Sequence, residues 1–267
     1  MRKFFLPLIL MLLIVTGCGG EDNSDKIISE KYGNKLVVGV DVEFPPIGFR
    51  DKQGNIVGFD VDLAKEAANR MGFEFEFKPI NWDNKREEIT SGNIDLIWNG
   101  CDIIDEYKEY MIFSRPYMDN RQILLVKRNN PQGIHTTSDL AGKRVGTQAG
   151  SNSESYVNET ATLKNTFAMF RTYRSVNEGF AALLNDELDV LVIDEIAARY
   201  EMSRQPGKFE LIEETVGPVT EFGIGFRKDD TVLRDKVQKI FDEMVADGTA
   251  KKISEQWFQA DLIKRKR

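Results

Sequence analysis

Cysteine occurs only twice in the 267-residue chain, at Cys18 and Cys101, and histidine once, at His135. Such scarcity excludes a disulfide framework and a His/Cys metal cluster, and His135 has no Ser-His-Asp arrangement around it. A basic excess is missing too: the formal charge is -7 and the pI near 5.1. That excludes an electrostatic footprint for nucleic acid and leaves little attraction to anionic lipid. There is no phosphate-cradling glycine loop, and no apolar run reaches the roughly 20 residues that a bilayer crossing needs. What is present is 41% hydrophobic and 30% charged residues, enough to bury a substantial core in one large or two modest domains.

The N-terminal stretch has a distinct grammar. Arg2 and Lys3 precede an apolar run over 4–15, which is a charged n-region followed by a secretory h-region. The run ends in Val15-Thr16-Gly17-Cys18, which resembles the bacterial lipobox, in which small residues precede a cysteine that is lipidated and becomes the new N-terminus. The resemblance implies a lipoprotein signal peptide over 1–17, lipidation of Cys18 and attachment to the extracytoplasmic face of the membrane. Residues 18–34 read as a flexible tether, because 19–29 are polar and acidic with no periodicity. Cys101, set between Gly100 and Asp102, reads as a small buried hydrophobe and not a reactive thiol.

The folded part is organised around 92–102. Asp95 to Trp98 is a short apolar run after a Gly-Asn helix stop, which reads as a strand buried on both faces, and it turns polar at once at Asn99, Gly100 and Asp102. In an open parallel sheet, ligands sit beyond the carboxyl ends of the strands, so those polar tips are the first candidates for a site. Upstream, 36–40 reads as a strand, 61–71 as a helix stopped by Gly72, 73–77 as a strand and 83–90 as a more polar helix. This is the strand-helix alternation of an α/β fold with a parallel sheet. Downstream come a short helix at 105–110, strands at 111–114 and 123–126, and then a second start. Strands are expected at 143–146 and 167–171, a helix at 176–184, and a strand through Asp189 to Asp194 that repeats the polar turn, Asp, apolar run and polar tip of 91–99. Two units of one plan imply two lobes; a single doubly wound sheet repeats the same grammar. A strand at 222–226 and helices at 231–245 and 250–258 follow, and the terminal Lys264-Arg265-Lys266-Arg267 reads as a solvated tail.

Several blocks carry a family likeness. Val38-Gly39-Val40-Asp41 through Phe44-Pro45-Pro46, Gly58-Phe59-Asp60-Val61-Asp62-Leu63-Ala64, 92–100, Phe113-Ser114-Arg115-Pro116-Tyr117, Asp139-Leu140-Ala141-Gly142-Lys143 with Gly150-Ser151, and Asp247-Gly248-Thr249 with Trp257-Phe258 resemble family 3 of the bacterial solute-binding proteins that serve ABC importers of polar amino acids. The resemblance implies an α/β, two-lobed clamp of the periplasmic-binding-protein type, joined by two hinge strands near 120–123 and 220–223. Lobe I would be 35–120 and 221–262, lobe II 121–220, and 263–267 a basic tail. It further implies closure on a ligand by hinge motion, docking on a permease with its ATPase, a monomer and no cofactor.

Carried over by position, Asp41 and Phe44 would line the first lobe's side of the cleft and Trp82 would be an aromatic platform. Asn99 and Gly100 would bond the ligand, Ser151 and Asn152 would offer hydroxyl and helix N-terminal amides, and Asp194 would pair with the ligand's ammonium. One segment departs from the family pattern. Where a hydroxyl, a capping threonine and a carboxylate-binding arginine are expected, this chain has Asp102, Ile104 and Tyr107. Asp41, Asp102 and Asp194 then face the ligand with no matched cation, which favours an amine-bearing or cationic solute, or an amino acid held differently. Competing assignments make Asp102 or Asp105 a helix cap, let Lys108 or Arg121 replace the arginine, and put Trp98 in the core. Two rival functions share the fold: a ligand-sensing module for a separate receptor, and a dehydratase-type enzyme using paired carboxylates such as Asp102 and Asp194.

Overall fold

Residues 23–265 are described in a computed structural model, so the leader, the lipobox and Cys18 lie outside the described residues. The chain opens with helix α1 (Asn23–Tyr32), strand β1 (Lys35–Val40), a small antiparallel sheet of β2 (Glu43–Phe44), β3 (Gly48–Arg50) and β4 (Ile56–Val57), helix α2 (Phe59–Met71) and strand β5 (Glu74–Pro79). A 3-10 turn at Trp82–Asn84 leads into α3 (Lys85–Thr90), β6 (Leu96–Asp102), α4 (Asp105–Lys108), β7 (Met111–Phe113) and β8 (Met118–Asn120). The second sheet begins with β9 (Gln122–Lys127). It continues through β10 (Arg144–Gln148), α5 (Asn152–Glu159), α6 (Ala161–Lys164), β11 (Met169–Tyr173), α7 (Val176–Leu184), β12 (Val190–Asp194), α8 (Glu195–Arg204) and β13 (Phe209–Thr215). Strand β14 (Thr220–Arg227) and helices α9 (Thr231–Ala246) and α10 (Thr249–Phe258) return to the first sheet.

The two large sheets share a plan. In the first the order is β5-β1-β6-β14-β7, with β8 also on β14; in the second it is β11-β10-β12-β9-β13. Each contains a parallel trio whose first strand lies between the other two, and in each the last strand of the trio pairs antiparallel with a strand adjoining a crossing between sheets. The repeated aspartate of the sequence grammar has a structural cause. Asp95 accepts the Val37 backbone N–H at 2.7 Å, and Asp189 accepts that of Arg144 at 2.8 Å, so each pins the start of its own sheet's central parallel strand. Arg227 then pairs with Asp95 at 2.9 Å and Arg144 with Asp189 at 2.6 Å.

Local chemistry explains the elements that matter for the site. β6 is buried at all seven positions because it is flanked by β1 and β14 and covered on both faces, which is why its first half, Leu96 to Trp98, reads as an apolar run. Trp98 packs into the core beside Phe241, as expected, and Cys101 is fully buried, where burial pushes its thiol well up. α2 ends at Gly72, whose φ of 70° is the left-handed conformation that glycine adopts without a Cβ penalty; the Phe73 N–H bonds back to the Ala68 carbonyl.

Two expectations need correction. The tether is a helix from residue 23 onward: Ile28 is fully buried, Tyr32 and Lys31 bond to Asp230, Arg227 donates to the Tyr32 hydroxyl at 2.6 Å, and Lys236 pairs with Asp25 at 2.7 Å. Its anchors lie on β14 and α9 and the loop joining them, so no local periodicity announces it. Of the basic tail, 266–267 lie outside the described residues, and 263–265 are not wholly solvated. Ile263 is buried, the Lys264 N–H bonds to the Tyr117 carbonyl at 2.8 Å, and its ammonium pairs with Asp119 at 2.5 Å and with Glu221. The β2–β4 sheet, α8 and β13 were not anticipated, being too short or too evenly polar for a periodic signal.

Candidate functional site

The chain leaves the first sheet at Asn120 and enters the second at Gln122, and it returns through 216–219 to Thr220. The tips of β6 and β12 meet at this junction. Asn120 Nδ2 donates to Asp102 at 3.0 Å and to Asp194 at 2.5 Å, so one amide holds a carboxylate from each lobe. Thr220 adds a hydroxyl donor to Asp102 at 2.5 Å, and Gln122 adds an amide donor to Asp194 at 2.6 Å. Both carboxyls are pushed up, first by burial; the Asp194 charge adds to the shift at Asp102. Asp41, at the end of β1, accepts the Glu43 N–H at 2.9 Å and reaches across the lobes to Gln148 Nε2 at 2.7 Å; burial raises its carboxyl to about 6. A cavity of about 10 Å3, room for about one water, remains on the second lobe's face, lined by Gln148, Ser151 and Asp194 among others.

The aromatic side of the cleft contains a cation that reading the sequence missed. Lys85 is only 3% exposed, with its ammonium 4.3 Å from the centroid of the Tyr107 ring and 5.2 Å from that of Trp82. It donates to the Gly150 carbonyl across the lobes at 2.6 Å, and the Tyr107 hydroxyl donates to the same oxygen at 2.7 Å. Burial lowers the Lys85 pKa, while Cys101, Glu106, Asp83 and Glu154 act to raise it. The expectation of a site with no cation is therefore corrected. The available signal was helical: Lys85 and Ile89 are four residues apart on α3, and both are buried on one face. Asn120, Gln122, Gln148 and Thr220 were also missed, although polar residues at strand ends beside the junction were visible in the sequence.

The remaining expected residues divide. Phe44 is buried in the main core, touching α7 of the opposite lobe through β2. Asn99 is fully buried beside Gly48, where a Cβ would come 2.2 Å from its Oδ1, and neither amide atom has a partner among the described residues. The Gly100 N–H is taken by Asp60 at 2.6 Å, and Asp60 also accepts from Tyr117 at 2.6 Å; burial raises its carboxyl to about 7. Asn99 and Gly100 thus face into lobe I in this closed arrangement. Ser151 caps α5 by accepting the Glu154 N–H at 3.2 Å and donates to the Gln148 carbonyl at 2.7 Å, and Asn152, the first residue of α5, is buried beside it.

Neither Asp102 nor Asp105 caps α4: the cap position is Ile104 with no side-chain bond, and Asp105 is exposed and paired with Lys108 at 2.9 Å. That pairing and the Arg121 bonds to Glu195 and Glu213 occupy both proposed substitutes for the arginine. A larger groove of about 1640 Å3 lies along the outer side of the junction, but its charges are already matched, Arg115 with Asp242, Arg121 with Glu195 and Lys264 with Asp119. Among the described residues no group of three or more His, Cys, Asp or Glu is arranged to hold a metal ion, and no helix is long and apolar enough to cross a membrane.

Two α/β lobes joined by two crossings, with polar strand tips facing one another at the junction, define a solute-binding clamp. The chain belongs to the bacterial extracellular solute-binding proteins, family 3, whose model matches residues 36–260. It is similar to the L-cystine-binding protein TcyJ of Escherichia coli (strain K12), 30% identical over 96% of this chain and 95% of that one. The arginine-binding extracellular protein ArtP of Bacillus subtilis (strain 168) is 28% identical over 98% of this chain and 100% of its own. An ABC uptake transporter substrate-binding protein from Streptococcus pneumoniae, solved with bound histidine, superposes with a TM-score of 0.85 at 35% identity, covering 91% of this chain and 100% of that one.

Proposed function

We propose that the chain is the extracytoplasmic substrate-binding lipoprotein of an ABC importer, a monomer that captures a polar amino acid or related amine-bearing solute by hinge closure and delivers it to the permease. One observation carries the reading: Asp102 and Asp194, from opposite lobes, converge on a single amide at the junction, with Asp41 at the same lobe interface. Buried carboxylates gathered across a hinge attract a cationic group, and an ammonium bridging both lobes stabilises the closed form. The chain binds without chemistry; its relatives named above are binding proteins. Cys18 carries the lipid that holds it at the membrane, and a Cys18→Ala chain is expected to leave the detergent phase for the aqueous phase in a partition experiment.

A thermal-shift screen of amino acids, polyamines and quaternary amines, on the chain lacking residues 1–18, tests the ligand class. Basic and neutral amine-bearing compounds are expected to stabilise it by about 2.7 kcal/mol at a concentration 100-fold above Kd. Glutamate or aspartate as the best stabiliser contradicts the charge argument. Product formed from any stabilising compound on incubation contradicts a pure binder.

A further inference from the structure

Lys85 is anomalous in its surroundings. Removing an ammonium from water costs several kcal/mol unless an anion meets it. Its partners are instead two neutral carbonyls, those of Gly150 at 2.6 Å and Trp82 at 3.4 Å, and the faces of two rings. Asp83, Glu106, Glu154 and Asp102 bias its charge from nearby, yet among the described residues none forms an ion pair with it. Tyr107, 1% exposed, directs its hydroxyl at the same Gly150 oxygen. A charged donor and a neutral one from lobe I thus converge on one peptide oxygen of lobe II. A carboxylate has two oxygens and a full charge, and it satisfies both donors better than a peptide carbonyl does. The Asp102 charge is felt by both Lys85 and Tyr107, so this pair of donors neighbours the carboxylates at the junction.

We propose that Lys85, with Tyr107, is the seat of the solute's carboxylate: on binding, both donors leave the Gly150 carbonyl for the ligand, whose ammonium lies toward Asp102 and Asp194. The assignment rests on the amine-binding reading above and narrows it to amino acids, taken in preference to their decarboxylated amines. Lys85 supplies from α3 the charge that Tyr107 does not supply from α4, and Tyr107 supplies a hydrogen bond.

The test is calorimetric titration with three matched pairs, L-arginine and agmatine, L-histidine and histamine, L-cystine and cystamine, the first two pairs differing by one carboxylate and the third by two. The wild-type chain is expected to bind at least one amino acid about 10- to 100-fold more tightly than its amine, the range of a charge-assisted hydrogen bond. Lys85→Met is expected to collapse that ratio to within about 3-fold, and Tyr107→Phe to reduce it in part. The ratio within one protein does not depend on the fraction folded, and Lys85→Gln repeats the measurement with a polar side chain. A wild-type chain that binds an amine as tightly as its amino acid, or a preference that survives in both Lys85 variants, overturns the assignment alone. Failure to bind any of the six compounds overturns the amine-binding reading and the assignment with it.

Discussion

Asp41, Asp60, Asp102 and Asp194 are carboxyl groups that burial holds above the ordinary carboxylate range, Asp41 at about 6 and Asp60 at about 7. The unfolded chain releases these protons near pH 4 and the folded chain releases them later, so folding takes up protons in between and stability falls as the pH rises through that window. Asp189, Asp230 and Glu195 are shifted the other way, each held down by arginine or lysine partners against its burial, and they lose stability only as the pH drops below about 4. Urea unfolding of the ligand-free chain is therefore expected to show greatest stability in mildly acidic solution and a fall of roughly a few kcal/mol by pH 7.5, with a shallower slope for Asp60→Asn. Stability that rises steadily to pH 7.5 contradicts this assignment of buried carboxyls. The same residues show what a sequence conceals. Asp41, Asp102 and Asp194 stand at strand tips; Asp102 was legible from the end of an apolar run, and Asp41 and Asp194 from the family resemblance. Lys85 was not, because a lysine opening a polar helix has the composition of a solvated residue, and its burial is decided by Trp82, Tyr107 and Gly150 folding over it.

Among the elements, β6 and α7 were legible because their apolar spacing is dictated by faces that both meet the core. α1 was not, since its partners Arg227, Asp230 and Lys236 are roughly 200 residues away along the chain. The difference has a measurable consequence. If α1 were a tether, Ile28→Ala would be silent; docked as it is, the truncation is expected to cost about 2 to 4 kcal/mol in urea unfolding, the range for a buried aliphatic side chain cut to alanine. The loop between β10 and α5 makes a similar point for the site. Gly150 has φ of 68° and lies against Asp83, whose Cα a Cβ would approach to 2.7 Å. That neighbour is backbone and has no rotamer to yield. Gly150→Ala is expected to prevent full closure and weaken amino-acid binding by about 10-fold or more, since the added Cβ meets the opposite lobe's backbone when the lobes are together, while far-UV circular dichroism stays native. Unchanged affinity places the loop outside the closing surface.

The described residues form two large sheets of one plan joined at a polar junction, and beside apolar contacts such as Phe49 with Tyr200 several polar ones link the lobes: Gln148 to Asp41, Lys85 and Tyr107 to Gly150, Ser155 to Glu106, and Arg174 to Glu43. The polar contacts exchange readily with water, so in the proposed clamp a bound solute is what holds the lobes closed. The radius of gyration from solution scattering is expected to fall on addition of a bound amino acid and to stay at the larger value in Gly150→Ala. The proposed amine-bearing solute lies between the lobes with its ammonium at Asp194. Parallel calorimetric titration of the wild-type and Asp194→Asn chains with L-arginine, L-histidine and L-cystine tests that placement most directly. One-to-one, saturable binding of at least one of them is expected, weakened about 10- to 100-fold by the substitution. Equal affinity in the two proteins, or no binding by the wild type, would contradict it.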